Sequence, residues 1–171
     1  MLSQDRLGEA REFALRHHND QTDKLGVLYC HHLADVARRV AHLGQPYEIV
    51  AWLHDSVEDT GATLSEIEAL FGPEVRAGVD AMTKRKGERY VEDYLPRLKS
   101  NELAVAVKIA DASHNWGKAH LLGDVDPQAA QRLGAKYRTA LLALGVDVNR
   151  LPLHIVFDNG AWRPLESGPG G

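Results

Sequence analysis

The sequence is poor in cysteine, in basic charge and in long apolar runs, and each shortage excludes a class of protein. One cysteine, Cys30, stands among 171 residues. It can form neither an internal disulfide nor a thiolate zinc cage, so we expect a reducing compartment, the cytoplasm. The net charge of −4 argues against a nucleic-acid or anionic-membrane partner. No apolar run approaches the roughly 20 residues that span a bilayer, and the first 18 residues lack the apolar core of a signal peptide.

What is present is an ordinary globular composition, with 44% hydrophobic and 26% charged residues. The length is near that of a single domain. We therefore expect one domain over residues 1–171, with a core at 3–145, a C-terminal hairpin at 153–165 and a loose tail at 167–171. The hairpin expectation depends on alternating residues around Asp158-Asn159-Gly160, which is a turn signal.

Apolar residues recur at helical spacing along most of the chain, and this pattern predicts an all-α fold of about eight helices. The boundaries follow from capping residues, glycines and prolines. The predicted helices are Ser3–His18, Tyr29–Leu43, Tyr47–Val57, Thr63–Phe71, Pro73–Met82, Tyr90–Leu98, Asn101–Trp116 and Asp126–Leu144.

The densest group of chemically active side chains is the segment His54-Asp55-Ser56-Val57-Glu58-Asp59. If the segment is helical, His54 and Glu58 are i, i+4 neighbours, as are Asp55 and Asp59. Between residues 39 and 76 there is no Lys or Arg, yet there are seven acidic residues. A divalent cation would compensate this concentration of carboxylates beside apolar surface. The alternative is a solvated acidic turn.

Two further residues could complete a metal site. His32 occupies an apolar-face position of its predicted helix, and Asp111 follows Val107 by one turn on an apolar stripe. Each has a simple alternative, since a core histidine is often only hydrogen-bonded and an aspartate near a helix end is often a cap. Together with His54 and Asp55 they form a set of two imidazoles and two carboxylates without sulfur, which suits Mn²⁺, Fe²⁺ or Zn²⁺.

The order His32, His54-Asp55 and Asp111 resembles the HD phosphohydrolase superfamily. Within it, the HDxxED hexad and the segments YCHHLADVA, AWLHDSVEDT, TLSEIEALFGPEV and VKIADASHN are most similar to small alarmone hydrolases. The resemblance implies an HD-domain helical bundle and assigns roles to nine residues. These are His32, His54, Asp55 and Asp111 for a divalent metal, most often Mn²⁺; Glu58 and Asp59 as catalytic acids; and Lys24, Asn115 and Tyr137 for nucleotide contacts.

The activity implied is metal-dependent hydrolysis of a small nucleotide, namely removal of the 3′ pyrophosphate of (p)ppGpp to give GDP or GTP. Asp23, Leu33 and Ala112 depart from the family pattern, which has a basic residue, a proline and a lysine at these positions. A nucleotidase or phosphatase acting on NMP, dNTP or NADPH is therefore one alternative, and a non-catalytic nucleotide-binding regulatory module is another. The basic segment at 84–89 offers charges for a polyphosphate. The oligomeric state stays open.

Overall fold

The computed structural model describes residues 5–152 and 154–165. These residues form an all-α body with one small antiparallel sheet, as the sequence predicts. The α-helices are α1 Arg6–His18, α2 Tyr29–Val40, α3 Gln45–Leu53, α4 Ser56–Asp59, α5 Leu64–Met82, α6 Leu95–Leu98, α7 Glu102–Leu122 and α8 Pro127–Ala143. The strands are β1 Ile155–Asp158 and β2 Ala161–Pro164. Short 3₁₀ turns lie at Ala41–Leu43 and Val148–Arg150, and a π-helical turn at Tyr90–Tyr94 leads into α6.

The expectation of about eight helices with a C-terminal hairpin is confirmed. The predicted cap Ser3, the hairpin's first residue Leu153 and the tail at 167–171 lie outside the described residues. The division into core, hairpin and tail stays a prediction. In the described ranges, no helix is both long enough and apolar enough to traverse a bilayer.

Helix α3 lies at the centre of the molecule. It packs against α1, α2, α5 and α7, and its residues Ile49 to Leu53 are all buried. The contact with α5 is close, because a Cβ atom at Gly78 would lie 2.9 Å from Val50 Cγ2. The absence of a side chain at Gly78 thus lets the two helices approach and fixes α3 beneath the site described below.

The two helices predicted at Thr63–Phe71 and Pro73–Met82 follow each other within α5 and are separated by a kink. A reciprocal capping box between Thr63 and Glu66 opens α5, as the sequence predicts. Gly72 interrupts it with φ 84°, a left-handed conformation that glycine adopts without strain. Pro73 then begins the second stretch, since its fixed φ and missing N–H suit a first turn.

The chain breaks its helical path at the acidic hexad. The sequence predicts a continuous helix over Tyr47–Val57, but α3 ends at Leu53 and α4 begins at Ser56. His54 donates from Nδ1 to the Ala51 carbonyl at 2.6 Å, and Asp55 has φ −102° and ψ −1°. A side chain that bonds the backbone of the preceding turn competes with the helix. The prediction of one regular helix through the hexad is wrong.

The C-terminal hairpin packs on α2 and α7. Asn159 and Gly160 both have positive φ, 49° and 75°, as a two-residue turn of type I′ requires. Trp162 on β2 pairs with Phe157 on β1 and is 4% exposed. A Cβ at Gly117 of α7 would lie 3.3 Å from Ile155 Cγ1, so this glycine allows β1 to lie close to the helix.

Candidate metal centre and adjoining cleft

Four ligand-type side chains converge from three separate segments. His32 comes from α2, His54 and Asp55 come from the break between α3 and α4, and Asp111 comes from α7. His54 Nε2 lies 2.9 Å from Asp55 Oδ2 and 3.7 Å from Asp111 Oδ1. His32 Nε2 lies 3.2 Å from Asp111 Oδ1 and 3.9 Å from Asp55 Oδ2. The ligand atoms of His32, His54 and Asp55 all lie within 4.8 Å of one another.

Both imidazoles direct a nitrogen into this cluster. The Nε2 atoms of His32 and His54 are buried, and their short distances to the carboxylates do not have the geometry of a hydrogen bond, so neither has a hydrogen-bond partner among the described residues. Because Nδ1 of His54 donates its hydrogen to the Ala51 carbonyl, its Nε2 carries the lone pair when the ring is neutral. Buried polar atoms are ordinarily satisfied, so two orphaned imidazole nitrogens beside two carboxylates fit a divalent metal ion.

The charge balance of the cluster includes a lysine that sequence reasoning missed. Lys108 is 8% exposed, and its Nζ lies 2.8 Å from Asp111 Oδ2. Burial opposes ionisation of Asp111, but the Lys108 ammonium and both imidazoles hold its pKa well below the ordinary value. Burial likewise acts to lower the pKa of His54, but Asp55 and Asp111 outweigh it and raise that pKa. Burial lowers the pKa of His32.

A buried, hydrogen-bonded pair formed by His114 and Asp35 packs next to His32. The rings of His114 and His32 meet edge to face with centroids 4.6 Å apart. His114 Nδ1 donates to Asp35 Oδ2 at 2.8 Å, and Arg38 and Arg39 also bond the Asp35 carboxylate, at 2.5 and 2.7 Å. Burial lowers the pKa of His114 to about 3, so the ring is neutral at physiological pH. The arrangement fixes the packing of α2 against α7 next to the cluster.

Glu58 and Asp59 stand at the end of the hexad and differ in environment. Glu58 Oε1 accepts a hydrogen bond from the backbone amide of Lys84 at 2.5 Å, which anchors this carboxylate to the loop after α5. Desolvation, followed by the like charges of Asp55 and Glu58, raises the pKa of Asp59 to about 6. Near neutral pH, Asp59 thus holds a proton more readily than an ordinary carboxyl, a difference that suits an acid and base pair.

Beside the cluster lies a cleft with a volume of about 270 Å³. The three residues predicted to contact nucleotide, Lys24, Asn115 and Tyr137, all line it. Its other lining residues are mostly apolar or aromatic and comprise Thr22, Asp23, Leu25, Tyr29, Lys118, Ala119, Leu122 and Leu133. Concave sites of this character, with few polar groups, are typical of small-molecule binding.

Tyr29 and Asn115 connect the cleft to the cluster. The Tyr29 hydroxyl donates to Asp55 Oδ2, while its ring lines the cleft. Asn115 Nδ2 donates to Asp111 Oδ1 at 2.8 Å. Asn115 therefore orients a carboxylate in the structure, in addition to its position in the cleft wall. Tyr29 was missed by sequence reasoning, although it precedes His32 by one helical turn.

The basic segment at 84–89 uses part of its charge internally. Arg85 lies 3.2 Å from Asp80, and Arg89 lies 2.9 Å from Asp93. Lys84 and Lys86 form no salt bridge with the described residues. Of the four charges that this segment offers for a polyphosphate, those of the two arginines are thus already paired with a carboxylate.

Comparison with known proteins gives one family match. The model of the HD domain matches residues 10–115. A human protein, guanosine-3′,5′-bis(diphosphate) 3′-pyrophosphohydrolase MESH1, is 37% identical over 124 residues, which are 63% of this chain and 65% of the relative. A protein of Aquifex aeolicus with the same enzymatic description is 36% identical over 104 residues, 60% of this chain and 15% of the relative.

A third relative, GTP pyrophosphokinase rsh of Brucella abortus, is 35% identical over 121 residues, 64% of this chain and 16% of its own length. The chain thus spans less than two thirds of each of these relatives. Among solved structures, one described as a metazoan ortholog of SpoT that hydrolyses ppGpp superposes with a TM-score of 0.72 at 22% identity. It covers 87% of this chain and 91% of its own, and the likeness establishes the fold.

Proposed function

This chain belongs to the HD-domain family, and on that basis we propose that it is a metal-dependent hydrolase that removes the 3′ pyrophosphate of (p)ppGpp. Three relatives that carry an activity on guanosine nucleotides in their descriptions share 35–37% of the aligned residues. The single free cysteine favours a reducing location such as the cytoplasm.

The observation that carries the proposal is the juxtaposition of cluster and cleft. Two orphaned imidazole nitrogens, of His32 and His54, face two carboxylates. Tyr29 joins this cluster to a cleft whose walls include a lysine, an asparagine and a tyrosine. A nucleotide in the cleft would thus place a phosphate next to the proposed metal ligands.

We propose that His32, His54, Asp55 and Asp111 hold Mn²⁺, with Fe²⁺ or Zn²⁺ as alternatives, because the donor set has nitrogen and oxygen but no sulfur. When bound, such an ion lowers the pKa of a coordinated water and polarises a phosphoryl oxygen. The protein's contribution is to fix the ligands, through the Ala51 carbonyl for His54 and through Lys108 and Asn115 for Asp111.

Two carboxyl groups would move the protons of the reaction. Glu58, held by the Lys84 amide, accepts a proton from the attacking water. The water oxygen forms a bond to phosphorus, and the bond between that phosphorus and the ribose 3′ oxygen breaks. Asp59, with its raised pKa, donates the proton that turns the leaving 3′ oxygen into a hydroxyl. The products are pyrophosphate and GDP or GTP.

The cleft would position the nucleoside. Tyr29 and Tyr137 offer aromatic faces, and Lys24 and Asn115 offer hydrogen-bond donors. Holding the substrate in this way converts the attack of water into a step between prealigned groups.

The test is a substrate panel for the purified chain with Mn²⁺, containing ppGpp, pppGpp, NADPH, dNTPs and NMPs, with identification of the phosphate species released. We expect pyrophosphate and GDP from ppGpp. Release of inorganic phosphate, or turnover of NADPH, dNTPs or NMPs alone, would replace this proposal with a nucleotidase or phosphatase. Binding without turnover of any member would replace it with a regulatory module.

Matched variants make the panel specific to the site. His54→Ala removes a proposed ligand, whereas His42→Ala removes an exposed histidine. We expect loss of activity and of Mn²⁺ binding in the first and neither in the second. Equal activity in the two variants would refute the assignment of His54.

A further inference from the structure

An ion pair in the cleft wall involves two residues to which no function has been given above. Asp23 Oδ2 accepts from Lys118 Nζ at 2.8 Å, and both residues line the cleft. The side chains of Asp23 and Lys118 are only 8% and 13% exposed. The cleft wall thus contains a neutral pair of opposite charges.

The pair is held in place on both sides. Asp23 Oδ1 accepts the backbone amides of Leu25 and Val27 at 2.9 and 3.0 Å, which closes the loop before α2. Lys118 Nζ lies 5.2 Å from the ring centroid of Trp162 in the C-terminal hairpin, within the range of a cation–π contact. Gly117, the neighbour of Lys118, admits Ile155 of the same hairpin. The hairpin therefore supports a wall of the cleft.

Hydrogen-bonding capacity remains on both partners. A carboxylate has about four acceptor positions, and three of those of Asp23 are used in the described structure. An ammonium group has three donors, and Lys118 uses one of them on Asp23. The cleft wall thus presents an acceptor beside a donor, both in a surrounding of apolar side chains.

We propose that the Asp23–Lys118 pair selects the base of the bound nucleotide and favours a 6-oxopurine. The inference rests on the proposed function, since it takes the cleft as the nucleoside site. The Lys118 ammonium donates to the base O6, and the Asp23 carboxylate accepts from the ring N–H with its remaining acceptor position. Lysine pairs well with a guanine carbonyl, and adenine offers an amino group at that position. Because the charges of Asp23 and Lys118 cancel, this part of the wall also suits an uncharged base better than a phosphate group.

The test is equilibrium binding of GDP and ADP by titration calorimetry with saturating Mn²⁺, on the wild-type chain and on Lys118→Met and Asp23→Asn. We expect wild type to bind GDP about tenfold more tightly than ADP, the scale of one base contact. In either variant we expect the affinity for GDP to fall about tenfold and that for ADP to change less than threefold, so that the preference disappears. Lys99→Met and Asp124→Asn, at exposed positions, should keep it.

Three results would overturn the proposal. These are equal affinities in wild type, a preference for ADP, or variants that weaken GDP and ADP equally. Lys118→Gln retains a donor without the charge and serves if Lys118→Met does not fold. Trp162→Leu removes the ring that lies next to Lys118 Nζ. Because Lys118 is then held less firmly, the preference for GDP over ADP should fall partly. The binding ratio does not require turnover, so a base preference without pyrophosphate release would refute the proposed function alone.

Discussion

Replacement of Lys108 by methionine should destabilise the protein strongly without metal and weakly with it. Methionine keeps most of the apolar length of the side chain but removes the ammonium that lies 2.8 Å from Asp111 Oδ2. Both residues are buried, at 8% and 5% exposure. The substitution thus removes one of the positive groups that balance this buried carboxylate, which lies next to Asp55 across the cluster.

The size of the effect follows from this burial. Breaking one side of a buried ion pair costs about 3 kcal/mol or more, and we expect about 3 kcal/mol in the metal-free protein. A bound divalent ion supplies a countercharge to Asp111, so about 1 kcal/mol should remain when it is present. The difference of about 2 kcal/mol must appear as tighter binding of Mn²⁺, by roughly 30-fold.

Two independent measurements test the expected difference of about 2 kcal/mol between the metal-free and the metal-bound protein. Urea denaturation with a chelator and with saturating Mn²⁺ gives the two costs, and calorimetric titration of Mn²⁺ gives the change in affinity. Lys99→Met, at an exposed position, is the control and should change neither quantity. An equal loss of stability with and without Mn²⁺, or weaker Mn²⁺ binding in Lys108→Met, would refute the role of Lys108 as a countercharge to Asp111.

Three other predictions concern the same region. Glu58→Gln should retain Mn²⁺ binding, measured by calorimetry, but lose about 10²-fold or more in kcat; full activity would remove Glu58 from the mechanism. Because Asp55 and Asp111 raise the pKa of His54, Mn²⁺ binding at pH 7 should release about one proton, seen as a binding enthalpy that differs between buffers of different ionisation enthalpy; identical enthalpies would contradict it. The folded pKa of His114 is about 3, below the unfolded value of 6.5, so its contribution to the free energy of unfolding is complete above pH 6.5 and falls by about 1.4 kcal/mol per pH unit towards pH 3. His114→Asn, which can still donate to Asp35, should have a shallower slope in urea titrations between pH 6.5 and 4, and an unchanged slope would be the contrary result.

Helix positions were predictable because their signals are local. Thr63 and Glu66 form the expected capping box, and Asn101 and Asp126 cap α7 and α8 with their side chains. The break at His54 was not predictable from periodicity, because apolar residues continue through it. It arises from a hydrogen bond of His54 to the preceding turn and from the conformation of Asp55.

The candidate site was predictable where residue types repeat a known pattern, and less so where partners come from distant segments. His32, His54, Asp55 and Asp111 are brought together as expected, and the roles given to them stay predictions. Lys108 could have been suspected, since a lysine between Val107 and Ile109 on a buried helix needs a countercharge one turn away. The partnership of Lys118 with Asp23, 95 residues apart, has no local signal.

The hydrogen bond between Glu58 and the Lys84 amide bears on how position 84 can vary during evolution. Since the donor belongs to the main chain, nineteen of the twenty amino acids would preserve it, and only proline would remove it. The substitutions found at position 84 among relatives would therefore reflect the lysine charge alone. They would give no information about the hydrogen bond that anchors Glu58. A tolerant position in sequence comparisons can thus hold the Glu58 carboxylate in place, and Lys84→Pro is the one exchange that would reveal it.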